Sequence, residues 1–308
     1  VRIVFLGASQ FGLRCLGALA GLPGISLAGV VTAPRTFAIS YRPQGVTNVL
    51  HADVAGWCEA RGLPIATLGP QGMRTPGLWD AVQQWEPDAF VVAGWYHMVP
   101  KAWRELAPAY GLHASLLPAY RGGAPLVWAM IHGERQTGIT LFEFDDGVDT
   151  GPIVAQASTP IAEDDTIGTV YARIEALGER LLVESLPGLA AGTLRPRPQP
   201  EGAGQVFAQR GPEDGRIDWH WPARRIHDFV RAQTRPYPGA FFLDGARRVT
   251  VWAARVAAPA GLPPGDVAMG DDNGVRVGAG EGTALELLEL QIDGHDMPPT
   301  AWVRSRHA

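Results

Sequence analysis

Apolar residues recur along this chain with two periods that alternate from segment to segment. Val1–Leu6 is an apolar run broken only by Arg2 and closed by Gly7, as expected of a strand buried on both faces. The turn Gly7–Gly12 leads into a helical period carrying Leu13, Leu16, Leu19 and Ala20. The alternation continues with a strand over Ile25–Thr32, a helix over Asp53–Arg61, a short strand over Leu63–Thr67, a helix over Arg74–Trp85 and a strongly apolar strand over Asp88–Ala93. This order predicts an α/β fold with a Rossmann-like, mostly parallel sheet and right-handed crossovers. Ligands of such sheets bind beyond the carboxyl ends of the strands, where Gly7–Gln10, Gly94–Val99 and Gly111–Ser115 fall. Pro34–Asn48 shows neither period and reads as an irregular loop, longer than packing needs and suited to the mouth of a site.

The stretch Tyr110–Ile153 organises the rest. An apolar run led by His113 breaks at Pro118 and is followed by a Gly-rich turn, a helix over about Gly123–His132 and an alternating strand over Gly138–Phe144. The strand runs into the acidic loop Asp145–Asp149. A strand over Val154–Ile161 follows, then a helix capped by Thr166 that continues through Val183 on a buried face of Ile167, Val170, Ile174, Leu177, Leu181 and Leu182. Thr193–Gly204 is dense in Pro and Gly and marks a linker. The domains are therefore expected at 1–192 and 205–308, with 193–204 between them. Beyond the linker a helix over about Pro222–Ala232 precedes short strands at Ala240–Leu243, Arg248–Val256, Gly274–Val277 and Ala284–Gln291, a spacing that suggests a small β-barrel.

Composition narrows the function classes. The 308 residues are 46% hydrophobic and 19% charged, with a net charge of -5, so the molecule as a whole is no electrostatic trap for nucleic acid. The only lysine is Lys101. Cys15 and Cys58 lie far apart without metal-finger or redox spacing and suit reduced thiols. With no basic-apolar leader and no apolar run of roughly eighteen residues, the chain is expected to be cytoplasmic, with no membrane partner; a homodimer is allowed. The P-loop, the H-E-x-x-H zinc motif and the G-x-S-x-G elbow are absent.

Several segments carry candidate chemistry. Gly7-Ala8-Ser9-Gln10-Phe11-Gly12 is similar to a dinucleotide fingerprint, but Ser9 stands where a second Gly would admit a pyrophosphate, and Val30–Ala33 brings no acid for a ribose. A strand-turn-helix that merely packs accounts for it better. Gly94–Pro100, with Trp95, Tyr96, His97, Met98 and Val99, could hold a flat heterocycle or be an ordinary strand-to-helix loop; the residues leave both readings open. His113 and an Asp of the acidic loop can meet as a proton-handling pair, the plain alternative being a buried His and a turn Asp. His51, His132, His220, His227, His295 and His307 lie outside these segments and read as surface or core.

His113-Ala114-Ser115-Leu116-Leu117-Pro118, then Tyr120-Arg121-Gly122, then Asp149-Thr150-Gly151-Pro152 together resemble the signature of the folate-dependent formyltransferases. The tail, with Ile217-Asp218-Trp219 and Pro236-Tyr237-Pro238-Gly239-Ala240, resembles the C-terminal domain of the family's methionyl-tRNA and arabinose-modifying branches. The resemblance implies that an unprotonated amine attacks the formyl carbon of 10-formyltetrahydrofolate, with no metal. It implies that His113 donates to the oxyanion or relays a proton, that Asp149 holds His113 and an ordered water, and that Ser115 braces the loop or touches substrate. It assigns the pterin to Trp95–Val99 and to Asp145, Asp146, Gly147 and Val148, and the acceptor to Gly111, Arg121 and Gly122.

One position departs from the pattern. Two residues before the His the family carries an Asn whose amide donates to the oxyanion, and this chain has Gly111. Losing one such donor costs about a hundred- to a thousandfold in rate. Another side chain or a water can replace the amide, substrate groups can fill the space, or the chemistry can differ, as in formimidoyl transfer or lost catalysis.

The family resemblance also bears on the acceptor. In the tRNA branch a basic loop after the second strand reaches the acceptor stem, whereas Pro34–Asn48 carries only Arg35 and Arg42. From residue 205 onward 12 arginines face 13 acids. The expectation is a small amine, such as a nucleotide-linked amino sugar or a specialised metabolite, with Arg121, Arg42 or Arg35 pairing its phosphate or carboxylate, no nucleic-acid partner, and the methionyl-tRNA reading less favoured.

Overall fold

The computed structural model describes residues 1–39, 42–270 and 272–306. In chain order the first elements are β1 (Arg2–Leu6), α1 (Gln10–Ala20), β2 (Ser26–Thr32), β3 (Thr36–Ile39), β4 (Arg42–Thr47), α2 (Val54–Glu59), β5 (Ile65–Thr67), α3 (Leu78–Gln84), β6 (Ala89–Val92), α4 (Lys101–Leu106) and β7 (Ala109–His113). They are followed by β8 (Arg121–Gly122), α5 (Pro125–Ile131), β9 (Gln136–Glu143), β10 (Ile153–Pro160) and α6 (Ile167–Ala190). The remainder holds β11 (Val206–Phe207), α7 (Ala223–Arg231), β12 (Ala240–Asp244), β13 (Arg247–Ala257), β14 (Val267–Met269), β15 (Val275–Gly278), β16 (Ala284–Ile292), β17 (His295–Met297) and α8 (Pro299–Ser305).

The residues group into two compact units that do not follow the chain linearly. One unit holds Val1–Arg121, Gly138–Ser158 and Ile174–Val206, and the other holds Gly122–Thr137, Thr159–Arg173 and Phe207–Ala308. Among the described residues no helix is long and apolar enough to cross a membrane.

The first sheet has seven strands in the order β10-β9-β7-β6-β1-β2-β5. β1, β2, β5, β6 and β7 pair in parallel, and β9 joins β7 antiparallel. Ile3, Val4, Phe5 and Leu6 are wholly buried, which is why the first strand lacks the polar alternation of a half-exposed one. Ser9 caps α1, its hydroxyl accepting from the Gly12 N–H at 3.2 Å. The fingerprint-like turn is thus a helix cap, because the residue that would yield space to a pyrophosphate uses its side chain on the backbone.

The second unit carries a six-stranded antiparallel sheet, β12-β13-β16-β15-β14, with β17 on β16. Val249, Val251, Leu285, Leu287 and Leu290 from its strands are buried, as are Trp302 of α8 and Phe229 of α7.

Four local expectations are corrected. Pro34–Asn48 is no plain loop: Thr36 pairs with Thr47 and Phe37 with Val46, because β-branched and aromatic residues alternate there and Phe37 finds a buried seat. The helix expected from Arg74 begins at Leu78, because the left-handed Gly77 (φ 76°) precedes it. α6 passes Val183 to Ala190, because Leu186 extends the buried face; Gly192 in the left-handed region (φ 68°) follows its end. β14, β17 and α8 lie in stretches too short or too proline-rich for either period to register.

Candidate active site

β7 presents Gly111 and His113 on one face, since alternate residues of a strand share a side. The antiparallel partner β9 sets Phe142 opposite Gly111 and Thr140 opposite His113. The His113 ring is clasped between two acceptors. Its Nε2 lies 2.8 Å from the Tyr120 carbonyl and its Nδ1 lies 3.5 Å from Oδ2 of Asp149. A carbonyl oxygen only accepts, so Nε2 carries the proton of that contact, leaving Nδ1 facing a carboxylate. Among the described residues, Asp149 is thus the carboxylate placed against the ring, on its Nδ1 side. The Tyr120 carbonyl is in place because Tyr120 itself adopts the left-handed conformation (φ 56°).

Asp149 is also left-handed (φ 51°), a conformation that costs a non-Gly residue about 1–3 kcal/mol and needs outside support. The support is a closed set of hydrogen bonds. Arg121 Nε donates to the Asp149 carbonyl at 3.1 Å, and Gln199 Nε2 donates to the carbonyls of Asp149 at 2.9 Å and Gly151 at 2.7 Å. Arg121 Nη2 donates in turn to Gln199 Oε1 at 2.6 Å. Arg121 is buried at 8% exposure, which commits the guanidinium to this brace. Gly151 admits no side chain, since a Cβ there would fall 1.8 Å from the Glu143 carbonyl oxygen.

Ser115 is buried and its hydroxyl donates to the Ala119 carbonyl at 2.6 Å. Its own carbonyl accepts from Thr140 Oγ1 at 2.7 Å, and Thr140 Oγ1 accepts from the Leu117 N–H at 3.1 Å and from Gln156 at 2.9 Å. This network fixes the turn after His113. Gly122, beside Arg121, is left-handed (φ 86°).

The position of the departure is filled. A Cβ on Gly111 would lie 2.2 Å from both Cε1 and Cζ of Phe144. The Phe144 ring packs 5.0 Å from that of Phe142, which meets His113 edge-on at 6.4 Å. An aromatic face thus stands where the family's amide would project.

The two candidate folate loops are neighbours. Arg104 of α4 donates to Asp146 at 2.8 Å and Lys101 lies 3.9 Å from it, tying the helix that follows Trp95–Val99 to the acidic loop. The Arg104 hydrogen bond, with the charges of Lys101 and Arg104, holds the Asp146 carboxyl below its ordinary range. Asp145 accepts from Gly147 N–H and Thr150 Oγ1, which shapes the turn. Met98 and Val148 are exposed, Val99 is buried, and Tyr96 donates to Asn48 Oδ1 at 3.1 Å. Among the described residues, Trp95 Nε1 and His97 Nε2 are buried without a hydrogen-bond partner. Burial pulls the His97 ring below its ordinary value, so it is neutral there. Phe37 of β3 packs against Tyr96 and His97 at 5.4 and 5.1 Å, which puts the hairpin beside this loop.

Across from Tyr110, Glu143 is raised by burial, and Tyr110 is raised by burial and by Glu143. Both alternate to the face opposite His113. Gln199 carried no sequence signal, because a lone Gln in P-R-P-Q-P looks like linker. Arg35 is exposed, while the Arg42 side chain and His307 lie outside the described residues.

Comparison with known proteins agrees with this geometry. The Formyl transferase family profile matches residues 27–186, and the Formyl transferase, C-terminal domain profile matches residues 210–307. A methionyl-tRNA formyltransferase of Anaeromyxobacter sp. (strain K) is 39% identical over 300 residues, covering 96% of this chain and 93% of its own length. That of Myxococcus xanthus (strain DK1622) is 38% identical over 298 residues, covering 95% and 91%. The solved N-formyltransferase from Helicobacter canadensis, in complex with folinic acid and dTDP-3-aminofucose, shares the fold at a TM-score of 0.70 and 15% identity, over 93% of this chain and 98% of that one.

These findings overturn the expectation of a small-amine acceptor and of no nucleic-acid partner. Relatives near 40% identity over almost the whole chain carry the methionyl-tRNA name, whereas the sugar enzyme at 15% shares the fold alone. The error lay in reading net charge as a measure of nucleic-acid affinity. Phosphate contacts depend on where the arginines sit, and a sum over the chain erases their placement. The chain belongs to the formyltransferase family, as a folate-dependent N-formyltransferase that takes 10-formyltetrahydrofolate as its one-carbon donor.

Proposed function

We propose that this chain formylates the amino group of methionyl-tRNA. The observation that carries the reading is the His113–Asp149 pair, at 3.5 Å and braced by Tyr120, Arg121 and Gln199, in a chain whose relatives near 40% identity bear that name. The methionyl amine attacks the formyl carbon, the bond from that carbon to N10 of the donor breaks, and tetrahydrofolate leaves, its N10 taking up the proton that the amine gives up. His113, its Nε2 proton held by the Tyr120 carbonyl, presents Nδ1 beside Asp149 to take the proton that the amine gives up, and Asp149 offsets the charge so formed. With Phe144 occupying the space at Gly111, no side chain at that position donates to the oxyanion. Trp95–Val99 and Asp145–Val148 hold the pterin, and Ser115 positions the His113 turn without touching substrate. A cytoplasmic location accompanies this substrate.

The test is single-turnover formylation of methionyl-tRNA with 10-formyltetrahydrofolate. His113→Ala is expected to lose about a thousandfold in rate, the size of a proton-transfer effect. Wild-type protein that leaves methionyl-tRNA unmodified would sink the assignment, and turnover of His113→Ala near the wild-type rate would sink the mechanism.

A further inference from the structure

The second unit contains a cavity of about 760 Å³ lined from that unit alone, by the end of α5, the segment 210–214 and the start of α7. His113 and Asp149 belong to the other unit, so this cavity is not the catalytic site. Its size falls within the roughly 300–1,000 Å³ usual for small-ligand sites.

Its chemistry is specific. Arg225 lies over the Trp221 ring, with 4.1 Å from guanidinium carbon to ring centre. Arg210 lies 4.6 Å over Trp128 and 5.5 Å from Phe229. Guanidinium planes and aromatic rings layered in this way offer flat faces on which a nucleobase stacks.

The charge balance is positive. Asp228 is already paired twice, with Arg231 at 2.7 Å and Arg224 at 3.3 Å, and Glu163 pairs with Arg224 and lies 3.9 Å from Arg135. Arg210 donates only to neutral acceptors, the Asp214 carbonyl at 2.5 Å and Gln233 Oε1 at 3.0 Å, while its Nε is buried and meets no partner. The Arg210 guanidinium is half-buried and, among the described residues, makes no direct contact with a carboxylate, the Asp214 charge acting on it only from a distance, so that an anion in the cavity would be its nearest counter-charge. Arg135 and Arg225 stand exposed beside it.

We propose that this cavity binds a nucleotide, its base stacked on the Arg225–Trp221 layer and its phosphate facing Arg210 and Arg135. The nucleotide can be free or part of an RNA strand. In the second form the site deepens the methionyl-tRNA reading and rests on it: an unpaired residue of the tRNA would lodge here.

The experiment is calorimetric titration of the full chain at low salt with AMP, with ribose 5-phosphate and with a short oligoadenylate. It uses wild type, Arg225→Gln and Arg135→Gln, and methionyl-tRNA formylation is assayed in parallel. Both substitutions are at exposed positions outside the catalytic machinery. AMP or the oligomer is expected to bind, each variant weakening it at least about tenfold and lowering the salt slope of oligomer binding by about one. Tighter binding of the oligomer assigns the site to an RNA strand, and equal binding assigns it to a free nucleotide. No binding, unchanged binding in both variants, or ribose 5-phosphate binding as tightly as AMP overturns the proposal. Normal formylation kinetics in both variants with no AMP or oligomer binding removes this site and leaves the proposed function intact. Nucleotide binding by a wild-type protein that does not formylate methionyl-tRNA does the reverse.

Discussion

Phe144 and Gly111 are a matched pair: the ring occupies the volume that a side chain at 111 would need. Restoring an amide there by Gly111→Asn alone therefore overpacks the strand, and it is expected to cost about 1–3 kcal/mol of stability and to bring no gain in rate. Gly111→Asn with Phe144→Ala removes the clash, and its kcat should exceed that of Phe144→Ala alone. Denaturation midpoints and single-turnover rates for the three variants decide it; a stable, faster Gly111→Asn single variant would show that the ring does not guard the position. The departure at Gly111 was legible in the sequence, as were His113 and Asp149, because all three stand in a motif of fixed spacing. What fills the gap was not. It depends on the ring of Phe144 folding back over β7, one residue beyond the end of β9, and spacing along one strand carries no information about a side chain on its partner. Arg121 shows the same limit, since its position beside the motif suggested a substrate contact and its hydrogen bonds make it a brace.

At the scale of elements, β1, β2, β5, β6, α1, α2 and α3 were legible to within a few residues because their apolar periods are unmixed. α4 gave no period of its own, and the apolar run led by His113 follows β7, which ends at His113, and does not form it. The β3–β4 hairpin and the role of the Pro-rich stretch were not legible. Arg197 pairs backbone to backbone with Ile153, and Gln199 reaches the Asp149 loop, so a segment with the composition of a linker is a structural strap. Gln199→Ala strips hydrogen bonds from the carbonyls of Asp149 and Gly151 and is expected to cost about 2 kcal/mol. As a positioning residue it should also lower kcat more than it raises KM for the folate. A variant that loses stability but keeps kcat would make the strap structural only. The entry to α6 offers a second test. Asp165 is paired with Arg173 at 2.5 Å and accepts from Thr169 and the Ala162 N–H, and the Arg173 hydrogen bond above all holds its carboxyl well below the usual carboxylate range despite burial. A depressed folded value means that the stabilisation is present above the unfolded value of about 3.9 and is lost as pH falls through the folded one. Asp165→Asn should accordingly be much less stable than wild type at pH 7, and the gap between their urea midpoints should narrow steadily below about pH 4. A gap independent of pH would mean that the carboxylate charge contributes nothing there.

At the scale of the molecule, a net charge of -5 describes the average and hides the arginine-rich cavity of the second unit. Fold class and one-carbon chemistry survived this averaging because they rest on local patterns, whereas the acceptor was misread from charge totals and from the few arginines of the one segment Pro34–Asn48. Stability is the global quantity on which the donor site can be tested without turnover. A ligand that binds only the folded chain adds RT ln(1 + [L]/Kd), about 2.7 kcal/mol at a hundredfold excess over Kd. For a protein of this length that corresponds to a rise in Tm of roughly 4 °C. 5-Formyltetrahydrofolate, an isomer of the donor that needs no amine, should produce this rise in wild type and in His113→Ala alike if the proposed pterin loops Trp95–Val99 and Asp145–Val148 hold it, since they do not include His113. Replacing Asp146 by Asn, which unties the acidic loop from Arg104 and Lys101, should reduce the shift. A shift that vanishes in His113→Ala while persisting in Asp146→Asn would place the folate against the histidine and away from the two loops, and the assignment of those loops would fall.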